Sequence, residues 1–335
     1  MAKKTLDRVL IIQTAFLGDV ILATGLVEKI ARHYPDVSLD LMVRKGNESL
    51  FQGHPKIRQV IVFEKNRQKI KNLFRIIRTV RSEKYDMVIN VQRFFSSGLI
   101  TVLSGADVTV GFDKNPLSFL FSRKVAHRFD GIHETARNHM LVDWFTDEDP
   151  ANPVLYPQKM NYDLVSNYVN QKYICIGPAS VWFTKQYPVG KWVELISLVP
   201  DNTRVYLIGG SGDRTMGEEI RMKSARNDVV NLCGDLDLLD TAALMKSAAM
   251  NFVNDSAPMH MASAMNAPVC AVYCSTLPTF GYGPVSDRSF ILEISDDLYC
   301  RPCGIHGRSA CPEKHFRCAY DIRKDQVETI LAKLL

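Results

Sequence analysis

The chain has 335 residues, 46% hydrophobic and 23% charged, with 41 Lys and Arg against 36 Asp and Glu, a net charge of +5. That length suits two domains, and the composition excludes a disordered or fibrous chain. No apolar run approaches the roughly 20 residues of a membrane helix, and Asp7, Arg8 and Asp19 argue against a secretory leader, so a cytoplasmic protein is expected.

In chain order, residues 8–13 predict a strand and 19–33 a helix. Residues 37–43 and 59–63 predict strands, 67–82 a helix and 86–91 a strand. Such alternation predicts a parallel sheet with helices on both faces. Between positions 65 and 84 stand Lys65, Arg67, Lys69, Lys71, Arg75, Arg78, Arg81 and Lys84 against the single acid Glu83. Ile70, Leu73, Phe74, Ile77 and Val80 recur there at helical spacing, which predicts an amphipathic helix with a basic outer face. Such a face suits an anionic lipid surface, a nucleic acid, an anionic substrate or plain solvent. Nothing else reads as a nucleic-acid-binding module.

An Asp- and Pro-rich stretch, 146–157, predicts a linker. The pattern then restarts, with strands at 173–177, 203–209, 228–232, 250–254 and 269–274 and helices at 190–198, 217–225, 240–248 and 259–265. A last helix, 324–335, has the option of packing across the domain boundary. The domains are therefore 1–155 and 156–322, followed by the tail 323–335.

Chemistry-bearing residues fall after strands. Asp19 follows the first, where a carboxylate can take a proton from a hydroxyl nucleophile or cap the helix that follows. In the second half, Gly177-Pro178-Ala179-Ser180 leads to Phe183-Thr184-Lys185, and a loop cation there can offset a diphosphate. Asn254-Asp255-Ser256-Ala257-Pro258-Met259-His260 marks a strand, a turn and a helix start. Helix starts offer unpaired N–H groups and a positive dipole end to phosphate, although Asp or Ser there also serves as a simple cap. Gly209-Gly210-Ser211-Gly212-Asp213 suits either a phosphate or a flexible turn. No G-x-x-x-x-G-K-[ST] and no G-x-G-x-x-G after the first strand occur, which weakens a dehydrogenase reading. Asp235-Leu236-Asp237 matches a D-x-D metal motif formally but reads better as a loop and helix cap. Cys175, Cys233, Cys270 and Cys274 lie in apolar runs and read as reduced core thiols. Cys300, Cys303, Cys311 and Cys318, with His306 and His315 among them, leave zinc, free thiols and disulfides open.

Taken together, Gly18-Asp19-Val20, the Gly177–Pro188 loop, the Asp255–His260 stretch, His133-Glu134 with Arg137-Asn138, Gly283-Pro284 and the cysteine tail resemble glycosyltransferase family 9, the ADP-heptose:lipopolysaccharide heptosyltransferases. The tail looks most like the heptosyltransferase II branch. The resemblance implies an α/β GT-B fold, two facing Rossmann-like doubly wound parallel-sheet domains with a cleft between them. It implies inverting transfer from ADP-L-glycero-β-D-manno-heptose to the inner core of lipopolysaccharide, by an enzyme peripheral to the inner membrane. Asp19 would be the general base. Ser180, Lys185, Asp255, Ser256, Ala257 and His260 would hold the donor, and Lys65, Arg67, Lys71 and Arg137 the anionic acceptor. No metal, no cofactor and no nucleic acid are expected. Ala257 stands where the family usually has Gly, and Gly25 where Pro is common, a change expected to touch only local stiffness. A family member using another sugar or acceptor, and a non-catalytic nucleotide-sugar binder, are the rival readings.

Overall fold

A computed structural model describes residues 6–64 and 69–333, and the chain divides into two compact units, Met1–Tyr156 and Pro157–Leu335. Each unit is built on a six-stranded parallel sheet. In the first unit the strands are β1 (Arg8–Ile12), β2 (Ser38–Arg44), β3 (Ile57–Phe63), β4 (Met87–Asn90), β5 (Val108–Phe112) and β6 (Arg123–Val125), in the spatial order β3-β2-β1-β4-β5-β6. Its helices are α1 (Leu17–His33), α2 (Lys69–Ser82), α3 (Phe95–Val102) and α4 (Glu134–His139). The order reverses between β1 and β4. At such a switch point two loops leave neighbouring strand ends in opposite directions and open a ligand crevice.

The second unit repeats the plan. Its strands are β7 (Tyr173–Gly177), β8 (Arg204–Leu207), β9 (Val229–Asn231), β10 (Asn251–Asn254), β11 (Val269–Tyr273) and β12 (Ser289–Glu293), in the order β12-β11-β10-β7-β8-β9. The helices are α5 (Lys159–Val165), α6 (Val189–Ser197), α7 (Arg214–Ser224), α8 (Leu238–Lys246), α9 (Ala257–Ala264), α10 (Arg317–Tyr320) and α11 (Lys324–Ala332). Here the switch point lies between β7 and β10.

The central strands β1, β7, β10 and β11 are buried along nearly their whole length, because helices cover both faces of a parallel sheet. Cys175, Cys270 and Cys274 sit wholly inside as small apolar residues, and burial pushes their thiols far above the usual range. Trp192 is fully buried on α6, with the Tyr187 ring edge-on to it at 5.1 Å. Val327, Ile330 and Leu331 of α11 join the same core.

Two expectations change. The apolar stripe of α2 runs through Ile76, Ile77 and Val80, while Ile70 and Phe74 are 73% and 60% exposed beside its basic residues. The segment around 146–157 is laid along α1: the Val154 N–H donates to Thr24 Oγ1 at 3.0 Å and the Tyr156 hydroxyl to Glu28 at 2.9 Å. A Cβ on Gly25 would lie 2.6 Å from the Ala151 carbonyl oxygen. Gly25 is thus a packing requirement of α1, not a matter of stiffness alone.

Candidate functional site

In the second unit the site grows from the neighbouring ends of β7 and β10. Asn254, the last residue of β10, is fully buried. Its Nδ2 donates to the Pro178 carbonyl at 2.7 Å, and its Oδ1 accepts the Tyr187 N–H at 2.9 Å. One amide therefore holds both ends of the loop that carries Lys185. Lys185 Nζ lies 2.7 Å from Asp255 Oδ2, and the two side chains are only 14% and 8% exposed. The same carboxylate oxygen accepts the Thr276 hydroxyl at 2.6 Å. A cation so placed is pre-set in direction, which is what charge stabilisation of a leaving group needs.

Beside this pair, Ser256 precedes α9 with extended backbone, φ −158° and ψ 179°, and its side chain does not cap the helix. Ala257 opens α9, and His260 is buried one turn later. A Cβ on Gly177 would meet Pro258 at 3.3 Å and Val253 at 3.2 Å, so the start of α9 sits directly on the end of β7. Ser180 is half-buried on the loop, and its carbonyl accepts Gln186 Nε2 at 2.6 Å. The structure thus brings Lys185 and Asp255 into contact and places Ser256, Ala257 and His260 on the adjoining helix.

Behind Lys185 lies a brace that the sequence did not announce. Thr184 is buried, and its Oγ1 accepts the Ser275 hydroxyl at 2.9 Å and the Arg308 N–H at 2.8 Å. The Cys303 N–H donates to the Ser275 carbonyl at 2.9 Å. Gly307, at φ +79°, lets the loop press onto the Lys185 stem, where a Cβ would come within 2.9 Å. The four tail thiols line one cavity of about 300 Å³, and Cys300 Sγ lies 3.9 Å from His315 Nε2. Every described cysteine is free, and among the described residues no three His, Cys, Asp or Glu stand ready to hold a metal ion. Burial pushes the Cys318 thiol up to about 12. Asp235 pairs with Arg214, and the Asp237 N–H donates to Asp240 at 3.2 Å as α8 begins, as a loop and cap would.

In the first unit Asp19 stands in the first turn of α1, just past β1, and is partly exposed. The cap position belongs to Phe16, whose side chain makes no capping bond, so the capping role considered for Asp19 is corrected. Lys71 is exposed on α2, while Lys65 and Arg67 lie outside the described residues. Arg137 differs from its expectation. It is 1% exposed, pairs with Glu134, and donates to the carbonyls of Arg128 and Ile132 at 2.8 and 2.9 Å. Its charge is spent on holding the 128–132 loop rather than offered at the surface.

The profile of glycosyltransferase family 9 (heptosyltransferase) matches residues 73–312. The chain is 25% identical over 335 residues to lipopolysaccharide heptosyltransferase 1 of Pseudomonas aeruginosa, covering 95% of this chain and 92% of the relative. It is 24% identical over 277 residues to lipopolysaccharide heptosyltransferase 3 of Escherichia coli, covering 78% and 82%. The solved structure of E. coli ADP-heptose lipopolysaccharide heptosyltransferase II superposes with a TM-score of 0.79 over 98% of each chain, at 21% identity. The two doubly wound units are thus those of the GT-B fold. Heptosyltransferases 1, 2 and 3 all stand among the relatives, at 22–25% identity.

Proposed function

The chain belongs to glycosyltransferase family 9 and is a glycosyltransferase, and from that premise we propose that it moves heptose from ADP-L-glycero-β-D-manno-heptose to the inner core of lipopolysaccharide with inversion. The observation that carries this reading is the buried Lys185–Asp255 pair at the start of α9. It supplies a fixed cation beside a helix N-terminus, the electrostatics that a departing diphosphate requires. Asp19 takes the proton of the acceptor hydroxyl as that oxygen bonds to the anomeric carbon, and the sugar–phosphate bond breaks to release ADP. Lys185 and the N–H groups of Ser256 and Ala257 meet the new negative charge, while Ser180 and His260 contact the donor.

The acceptor is anionic and lies at the cytoplasmic surface of the inner membrane. Among the described residues no helix is long and apolar enough to cross a membrane. The exposed Ile70 and Phe74 beside Lys71, Arg75 and Arg78 support a surface-lying contact with anionic lipid, and Lys65 and Arg67 extend that basic run.

Mass spectrometry of a reaction with ADP-heptose and a heptose-free core acceptor tests the proposal. One added heptose is expected, and Asp19→Ala is expected to lose transfer by about 10²–10⁴-fold while still binding the donor. Full turnover by Asp19→Ala would remove the assigned base. Addition of a different sugar, or none, would remove the assigned substrate.

A further inference from the structure

The cavity behind Lys185 carries a nucleophile that sugar transfer does not use. Of the four thiols on its wall, Cys300, Cys303 and Cys311 are half-buried and Cys318 is buried. Cys300 Sγ lies 3.9 Å from His315 Nε2. The other ring nitrogen, His315 Nδ1, accepts the Arg317 N–H at 3.0 Å. A neutral imidazole that accepts at Nδ1 carries its proton on Nε2, so the ring turns an N–H towards the sulfur. The thiolate is the attacking form of a cysteine, and an imidazole beside the sulfur favours it. Arg308 on the same wall offers a cation to a carboxylate-bearing reagent, while Glu313 already accepts the Tyr299 hydroxyl at 2.5 Å.

Cys303 is placed to answer Cys300. Its Sγ points at the Cys300 carbonyl, 3.6 Å away, and Cys-x-x-Cys is a spacing at which two thiols act together. Burial raises the Cys303 pKa, so this sulfur remains a thiol until a mixed disulfide forms beside it. Its backbone is tied to the nucleotide side of the cavity. The Cys303 N–H donates to the Ser275 carbonyl at 2.9 Å, and the Ser275 hydroxyl donates to Thr184 Oγ1 at 2.9 Å. Thr184 directly precedes Lys185.

We infer that Cys300 and Cys303 form a redox-modification site, which closes as a disulfide and loosens the brace beside Lys185. The oxidant is a low-molecular-weight disulfide. Cys300 Sγ attacks one of its sulfurs, forms a mixed disulfide and expels one thiolate. Cys303 Sγ then attacks Cys300 Sγ, and the second thiolate leaves. The protons of the two cysteines end on the two released thiols, and the protein loses the two electrons that the reagent gains. In reducing compartments such disulfides are transient and serve sensing. Closure turns the Cys303 side chain from the Cys300 carbonyl to the Cys300 sulfur and draws its amide from Ser275. The disulfide stands on the cavity alone; only its effect on ADP rests on the role proposed for Lys185.

The test exposes the reduced full chain to glutathione disulfide, followed by alkylation and peptide mass spectrometry. Loss of two hydrogens is expected, mapped to Cys300 and Cys303. Cys303→Ser is expected to stop at a glutathione adduct on Cys300, and Cys300→Ser to form neither product. His315→Gln is expected to slow iodoacetamide labelling of Cys300 about tenfold at neutral pH; unchanged labelling would remove the role of the imidazole. In calorimetry the oxidised chain is expected to bind ADP at least about fivefold more weakly, with recovery on reduction, while Cys300→Ser binds ADP equally before and after the oxidant. No disulfide, or one joining other thiols, would overturn the site. Closure with unchanged ADP affinity would overturn the link to Lys185. Closure in a chain that binds no ADP in either state would remove the nucleotide reading alone.

Discussion

The two units share a sheet plan and differ in how finished their strand-end sites are. In the second, the cationic side chain is already paired, its loop is held at both ends by Asn254, and Thr184 is held from behind by Ser275 and Arg308. In the first, the corresponding edge exposes Phe16, Phe94 and Phe129 and leaves Arg93 and Lys114 without counter-charges. In the proposed reaction the finished site receives a single rigid ligand part, the diphosphate. The other edge presents aromatic faces and long cations, which give adaptable contact.

The largest effect that would sharpen this contrast is at the finished site. Lys185→Ala is expected to weaken ADP binding in calorimetry by at least about tenfold and to lower the melting temperature, because Asp255 is left buried with its charge unmatched, a loss of about 3–5 kcal/mol for a buried pair. Lys185→Met combined with Asp255→Leu is expected to regain much of that stability without regaining ADP binding. If the double variant bound ADP normally, the pair would be structural only.

A smaller effect concerns the first unit. Gly25→Ala forces a methyl group against the Ala151 carbonyl, and chemical denaturation is expected to show a loss of about 1–3 kcal/mol from overpacking. An unchanged midpoint would show that the 146–157 segment can move aside freely.

The smallest effect is acid sensitivity. Burial, with Lys56 adding to it, lowers His54 to about 4, and His127 falls to about 4 likewise. Both are neutral when folded, so between about pH 6.5 and 4 the unfolded chain binds more protons than the folded one. Their contribution is present in full above pH 6.5 and is lost as pH falls towards 4. The shifted cysteines and tyrosines of the second unit move upward instead and stay neutral through this window. Thermal melts should therefore show the first unit losing stability first on acidification, and His54→Gln should flatten that slope. Equal acid loss in both units would break the comparison.

The central strands were legible because a strand covered on both faces reads as an unbroken apolar run. β6 was not. Its three residues, Arg123-Lys124-Val125, form an edge strand paired only with β5, and they are exposed or half-exposed. β12, on the opposite edge of the second sheet, escaped for the same reason. At the candidate site, residue type after a strand drew attention to Asp19, Lys185 and Asp255. That Lys185 and Asp255 touch could not be read, since their pairing depends on β7 and β10 being neighbours. The burial of Arg137 could not be read either, because a guanidinium satisfied by backbone carbonyls has the same letter as one facing water. Thr184 and Ser275 carry no motif at all, and only the fold reveals that they meet.

That meeting has a practical consequence. The Cys303 amide hangs from Ser275, and Ser275 steadies the residue next to Lys185. On the proposed reading, a small fluorophore on a thiol of this loop would sit two hydrogen bonds from the residue beside Lys185, and a change in its emission on adding ADP would report occupancy continuously, without a labelled sugar.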